Sequence, residues 1–425
     1  MAISIERLYA LYLKHPIIST DTRKLSPNSI FFALKGDRFN ANAFAASALD
    51  NGCSLAVVDD PSVATDERYI LVDDVLTCLQ NLAAYHRKQL QIPVIGITGT
   101  NGKTTTKELI NVVLSTQFKT HATQGNLNNH IGVPLTILSA PKHTEILIVE
   151  MGANHPGEIA DLCDIAQPNF GLITSLGLAH LEGFGSFENI VETKTALFRA
   201  VENNHGLVFV NAQIPELIAH SEYQNRLTYG YENADFTGQP KDNGWFFCLH
   251  YKSSTIHTRL IGSYNFSNVL AACAIGDYFK VSFQNIKRGL ETYTPSNNRS
   301  QLIKSTHNTL ILDAYNANPT SMAAALQSFA ELNINRKFFI LGDMLELGTN
   351  SLLEHQRIFS LVQKLNLHEG IFVGPIFQTL SCGSMSAFEN AEAARECLRQ
   401  KTLNDYTILI KGSRGIHLET ITDVL

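Results

Sequence analysis

The segment Ile95-Gly96-Ile97-Thr98-Gly99-Thr100-Asn101-Gly102-Lys103-Thr104-Thr105-Thr106 constrains the fold more than any other stretch of the chain. An apolar run ends in a glycine turn, and a helical pattern starts at Lys103. Glycines let the backbone close around an anion, with N–H groups and a helix N-terminus aimed at it. Such a loop needs a buried strand feeding a helix, which asks for an α/β layer structure. Lys103 would then reach the β- and γ-phosphates of a nucleotide, and the Thr104 hydroxyl would hold Mg²⁺. The strict phosphate-loop pattern is not met, because Ile97 stands where its first glycine belongs. A chance glycine turn is the competing reading; the strand before it and the intact Gly-Lys-Thr weigh against that. The loop implies nucleotide phosphate, but it does not separate kinase, motor, switch and ligase.

Short apolar runs recur at Ile92–Thr98, Glu145–Glu150, Gly171–Thr174, Leu207–Val210, Leu310–Asp313, Phe338–Leu341 and Thr407–Ile410. Between them lie helical patterns such as Lys103–Ser115, Pro319–Leu332 and Leu353–Leu365. The alternation predicts mostly parallel sheets. At 425 residues the chain is long enough for roughly three domains. Breaks before Pro93 and near Thr294–Asn298 divide it into about 1–90, 91–298 and 299–425. Alternating residues over Trp245–Gly262 predict a hairpin at the edge of the middle unit.

The net charge of −6 argues against a general nucleic-acid binder. No apolar run is long enough to span a bilayer, and Glu6 and Arg7 interrupt the first apolar stretch, so neither a membrane anchor nor a signal peptide is expected. Seven scattered cysteines without a CxxC suit free thiols in a reducing cytoplasm and no structural zinc.

Six ordered blocks resemble the Mur ligases, ATP-dependent amino-acid and peptide ligases of peptidoglycan synthesis. They are the phosphate loop, TQGNLNNHIGVP (Thr123–Pro134), VEMGANHPGEI (Val149–Ile159), AHLEGFGS (Ala179–Ser186), DAYNANPTSM (Asp313–Met322), and LGDMLELG (Leu341–Gly348) with KGSR (Lys411–Arg414). The resemblance runs nearly end to end. It implies a UDP-sugar-binding α/β domain, a central P-loop domain with a parallel sheet, and a Rossmann-like last domain. YNANP together with LGDMLELG resembles the branch that joins D-alanyl-D-alanine to UDP-N-acetylmuramoyl-tripeptide through an acyl phosphate. ATP, two Mg²⁺ ions and a monomeric cytoplasmic enzyme are implied with it. The rivals are a sister ligase, such as a folylpolyglutamate synthase or the enzyme adding the third residue, and a P-loop switch without ligase chemistry.

The resemblance also implies roles. Gly99, Thr100, Asn101, Gly102, Lys103, Thr104 and Thr105 bind ATP phosphates. Thr104, Glu150, His180 and Lys194 serve Mg²⁺, with Lys194 acting as a carbamate; sequence physics alone makes it an exposed helical lysine. Gly262–Asn268 resembles the family's G-x-H-N-x-x-N block with Tyr264 in place of His, so Asn268 meets adenine, while the bland reading is a helix capped by Asn265. Arg299 reaches the phosphates, Asp313 the ribose, and Tyr315, Asn316 and Asn318 line the same turn. For substrate, Thr20, Asp21 and Arg23 serve the UDP pyrophosphate, with an aromatic from Ser29–Gly36 facing uracil. An Asp–Arg pair on a strand edge is the plain alternative. Asn40 and Asn42 depart from the family's F-D-G-H pattern. Asn126, Asn128 and Asn129 meet the sugar-peptide, Lys411 and Arg414 the carboxylates of the incoming dipeptide, and Asp343 and Glu346 its amine.

Overall fold

The computed structural model describes residues 3–36, 39–222, 225–241, 244–296, 298–380 and 385–425. Cys382 and Asn297 lie outside them. Strands at Ile17–Ser19, Ser29–Phe32, Leu55–Val58 and Tyr69–Leu71 pair in sequence order as an all-parallel sheet. The long helix Val75–Gln89, capped by the Asp74 carboxylate on the Thr77 N–H, leaves this sheet. Its core is shared with the next unit: Leu79 and Leu82 join one apolar cluster with Val133, Ile137 and Leu162. Tyr12 reinforces the junction by donating to the Leu138 carbonyl at 2.6 Å.

The middle sheet runs, from one edge to the other, Thr120–Ala122, Ile146–Glu150, Val94–Thr98, Phe170–Ile173, Leu207–Asn211, Arg226–Gly230 and Phe236–Lys241, all parallel. Cys248–Tyr251 and Ser254–His257 extend it as the antiparallel hairpin that the alternation over Trp245–Gly262 predicted. Val94–Thr98 and Ile146–Glu150 are buried along their whole length, because helices cover both faces; hence the unbroken apolar runs. Val94–Thr98 is the first strand in chain order of this sheet, yet it sits between Ile146–Glu150 and Phe170–Ile173. The chain order reverses beside it, and ligands of open α/β sheets bind at the carboxyl ends of strands at such a point.

In the last unit Gln301–Lys304 pairs antiparallel with Thr309–Asp313, followed by parallel Thr407–Lys411, Lys337–Gly342, Gly370–Val373 and Ser386–Phe388. Asp313 and Lys411 lie opposite one another at the carboxyl ends of adjacent strands. The linker into this unit carries two non-glycine residues with positive φ, Asn298 at 56° and Ser300 at 47°. No helix among the described residues is long and apolar enough to cross a membrane.

Candidate active site

A cleft of about 1210 Å³ opens at the carboxyl ends of the middle sheet. The phosphate loop forms its floor. Gly99 has φ +144°, and a Cβ there would lie 2.1 Å from Thr174 Oγ1; Gly102, at φ +80°, starts the helix Lys103–Leu114. Side chains can occupy neither position without strain. The segment after the neighbouring strand holds the loop. Ser175 Oγ accepts from the Asn101 N–H at 2.8 Å, the Thr100 N–H donates to the Ser175 carbonyl at 2.9 Å, and Thr174 Oγ1 donates to the Asn101 carbonyl at 2.6 Å. Lys103 Nζ folds onto the Gly99 and Thr100 carbonyls at 2.8 and 3.2 Å. Burial holds its pKa below the ordinary lysine value; Glu150 opposes that shift and Arg299 adds to it.

Glu150 ends its strand beside the loop. Oε1 accepts from Thr104 Oγ1 at 3.1 Å and Asn128 Nδ2 at 2.8 Å. Its N–H donates to Thr123 Oγ1 at 2.9 Å. Oε2 is buried and has no hydrogen-bond partner. An orphaned carboxylate oxygen beside a threonine hydroxyl is a hard-oxygen donor pair suited to Mg²⁺. Lys194 lies behind the cleft wall at 3% exposure, its ammonium 5.7 Å from the Phe184 ring centre. Burial drives its pKa down to about 7, and Lys103 adds to the shift. The sequence-based picture of an exposed helical lysine is wrong: the inner face of Phe187–Asn203 packs Lys194 among Ile190, Leu197 and Phe198.

The last unit closes the other side. Arg299 stacks on the Tyr315 ring at 3.8 Å, with Arg414 at 5.6 Å from the same ring. Lys411 Nζ donates to Asp313 Oδ2 at 2.5 Å, and the Ser300 N–H to Asp313 Oδ1 at 3.1 Å. His180, itself at positive φ, pairs through Nδ1 with Glu346 across the gap, and this contact holds the Glu346 carboxyl below its usual range.

Residues 97–276 match the Mur ligase middle domain, and residues 298–414 match the Mur ligase glutamate ligase domain. A UDP-N-acetylmuramoyl-tripeptide--D-alanyl-D-alanine ligase of Bacillus subtilis is 34% identical over 95% of this chain and 92% of its own length. The chain belongs to the Mur ligase family. Among solved structures, MurF from Acinetobacter baumannii superposes with a TM-score of 0.85 at 33% identity, covering 96% of this chain and 92% of that one. MurF from Thermotoga maritima in complex with ADP gives 0.84 at 26% identity, covering 97% of each.

In this Mur ligase the cleft gathers Thr100 to Thr105, Asn126, Asn128, Asn129, Glu150, His180, Asn268, Arg299, Asp313, Tyr315, Asn316 and Lys411. Asn268 is nearly buried, accepting from Thr106 Oγ1 at 3.0 Å. Asn129 Oδ1 accepts from the Gly132 N–H at 2.9 Å, so part of the Asn run shapes a turn. Three expectations need correction. Asp343 is fully buried away from the cleft, accepting from the Ile376 and Phe377 N–H groups at 2.8 and 3.0 Å; it caps the short helix Pro375–Thr379 and does not face an amine. Phe31 and Phe32 are core residues, so neither can face uracil; Phe39 and Phe44 are the exposed aromatics of that region. Asn265 makes no side-chain cap and turns its amide to the Ile261 carbonyl at 2.9 Å. Asp21 and Arg23 form an exposed bidentate pair in a one-turn helix, and with Thr20 they stand outside the cleft lining. Sequence reasoning missed Thr174, Ser175 and Thr123, which hold the loop and Glu150. Their signal was position: Thr174 and Ser175 directly follow the buried strand Phe170–Ile173, and Thr123 opens the stretch Thr123–Pro134.

Proposed function

We infer that this chain is an ATP-dependent ligase that joins D-alanyl-D-alanine to UDP-N-acetylmuramoyl-tripeptide. The observation that carries the reading is the convergence of phosphate loop, orphaned Glu150 oxygen and last-unit cations on one cleft, in a chain matching such ligases almost end to end. A carboxylate is a poor electrophile. Transfer of the γ-phosphoryl group to it makes an acyl phosphate and releases ADP. The dipeptide amine then attacks the acyl carbon, the amide forms, and phosphate leaves with one former carboxylate oxygen.

The residues divide this work. Loop N–H groups and Lys103 neutralise phosphate charge where it develops. Glu150 and the Thr104 hydroxyl would hold Mg²⁺, which supplies charge neutralisation and alignment of the phosphates. A carbamate on Lys194 would add a further oxygen ligand, and a pKa near 7 leaves enough neutral amine to react with CO₂. His180, which here pairs with Glu346, would offer its imidazole nitrogen to a second ion. Arg299 supplies a delocalised cation to the phosphates from the linker, so its contribution depends on how the last unit closes. Asn268 faces the base, and Asn126 and Asn128 the sugar-peptide. Because Asp313 holds Lys411 at 2.5 Å, that lysine orients the ribose-binding carboxylate, leaving Arg414 as the freer cation for the dipeptide carboxylate. Thr20, Asp21 and Arg23 contact the UDP end. Every group in this scheme comes from one chain, so a monomer suffices, and nucleotide-linked substrates suit the cytoplasm.

Phosphate release with ATP, Mg²⁺, UDP-N-acetylmuramoyl-tripeptide and D-alanyl-D-alanine, omitting each in turn, tests the reading. Release requiring all four, with a pentapeptide product by mass, is expected. Release indifferent to the peptides would point to a nucleotide switch instead.

A further inference from the structure

The last unit touches the phosphate loop directly. Asn318 Nδ2 donates to Asn101 Oδ1 at 2.8 Å, and Asn101 Nδ2 lies 3.4 Å from Asn318 Oδ1. The two amides pair reciprocally across the cleft. Asn318 is otherwise fixed: it is nearly buried, and its Oδ1 caps the helix Pro319–Glu331 by accepting from the Ser321 N–H at 2.9 Å. Ser321 Oγ returns the contact by accepting from the Asn318 N–H at 3.1 Å, completing a capping box. A second contact supports this approach. Thr100 Oγ1 bonds both the carbonyl and the N–H of Gly177, and a Cβ at Gly177 would come within 3.1 Å of Thr320 Oγ1. The start of the last unit's helix therefore packs against the segment bracing the loop.

Among the described residues, the Asn101 side chain has no other hydrogen-bond partner. Gly99 and Gly102, both at positive φ, flank the loop, and Thr174 and Ser175 hold only its backbone at Asn101, so the Asn318 amide is what fixes the Asn101 side chain. A tether from outside the middle unit narrows the conformations this loop can visit.

We propose that Asn318 is a positioning residue: paired with Asn101, it holds the phosphate loop in its nucleotide-binding shape from the last unit. The inference rests on the nucleotide reading of the cleft. It makes nucleotide affinity depend on a residue that contacts the loop but is not itself a phosphate ligand.

The test is calorimetric titration of the full chain with Mg²⁺-ADP, comparing wild type, Asn101→Ala, Asn318→Ser and the double variant. Serine caps a helix as well as asparagine but is too short to reach Asn101. Net neutral hydrogen bonds of this kind predict about five- to tenfold weaker binding for each single variant. The double variant should be no weaker than the worse single one, because both remove the same pair. Asn318→Ser and Asn101→Ala should lower the thermal midpoint by the same small amount, since both lose the same pair, and Asn318→Thr serves if the serine variant folds poorly. Wild-type affinity in Asn318→Ser, or losses that multiply in the double variant, would overturn the proposal. Failure of the wild-type chain to bind nucleotide would remove the ligase reading itself, and this inference with it.

Discussion

Replacing Lys194 with methionine should change how the stability of this protein depends on pH. Burial disfavours the folded Lys194 ammonium and pushes its pKa down to about 7, whereas the unfolded chain keeps the proton to the ordinary lysine value of 10.5. Between those values the unfolded state binds more protons, so stability rises with pH. Burial leaves the side chain 3% exposed, so solvent screening discounts the effect little. Integrating both titrations from about pH 7 to about pH 9 gives a gain of about 2 kcal/mol from this one lysine. Methionine keeps the apolar stem and carries no proton. The assay is urea denaturation of both proteins at the two pH values, in buffers free of carbon dioxide so that no carbamate forms on Nζ. The wild-type gain should exceed that of Lys194→Met by about 2 kcal/mol. Parallel pH responses would refute the argument, since they would mean that the folded lysine keeps its proton as the unfolded one does.

Other consequences follow from the same geometry. Gly99→Ala forces a Cβ against Thr174 Oγ1 and the Ser175 N–H at a left-handed φ; a loss of at least about 2 kcal/mol in denaturation, together with loss of nucleotide binding, is expected. Lys411→Met strands the Asp313 carboxylate; it should cost about 3 kcal/mol by urea titration, and adding Asp313→Asn should restore much of that. Arg23→Ala removes only an exposed pair, so its thermal midpoint should match wild type even if the Michaelis constant for the UDP-linked substrate rises.

Much of this was written in the sequence, for identifiable reasons. Strands covered on both faces must be apolar throughout, so Val94–Thr98, Ile146–Glu150 and Thr407–Lys411 were visible as runs. The loop was visible because only glycine suits Gly99 and Gly102. Three-residue strands such as Ile17–Ser19 and Tyr69–Leu71 were not, being too short to show a period. The role of Asp343 was hidden because a carboxylate in a loop motif reads alike whether it caps a helix or faces a ligand; only the fold brings Ile376 and Phe377 onto it. Lys194 misled for a similar reason. A lysine on an amphipathic helix is ordinarily solvated, and its burial depends on how Phe187–Asn203 packs on the middle sheet. Pairings across units, Asn101 with Asn318 and His180 with Glu346, follow from tertiary arrangement and leave no local trace.

The central claim is that the cleft makes an acyl phosphate from a peptide carboxylate. Tripeptide substrate labelled with ¹⁸O in its terminal carboxylate tests it most directly. After turnover with ATP and D-alanyl-D-alanine, mass spectrometry of the released phosphate should find one ¹⁸O atom per molecule, because one carboxylate oxygen leaves with the phosphoryl group. Phosphate free of label would mean that ATP is cleaved by water, which contradicts the account.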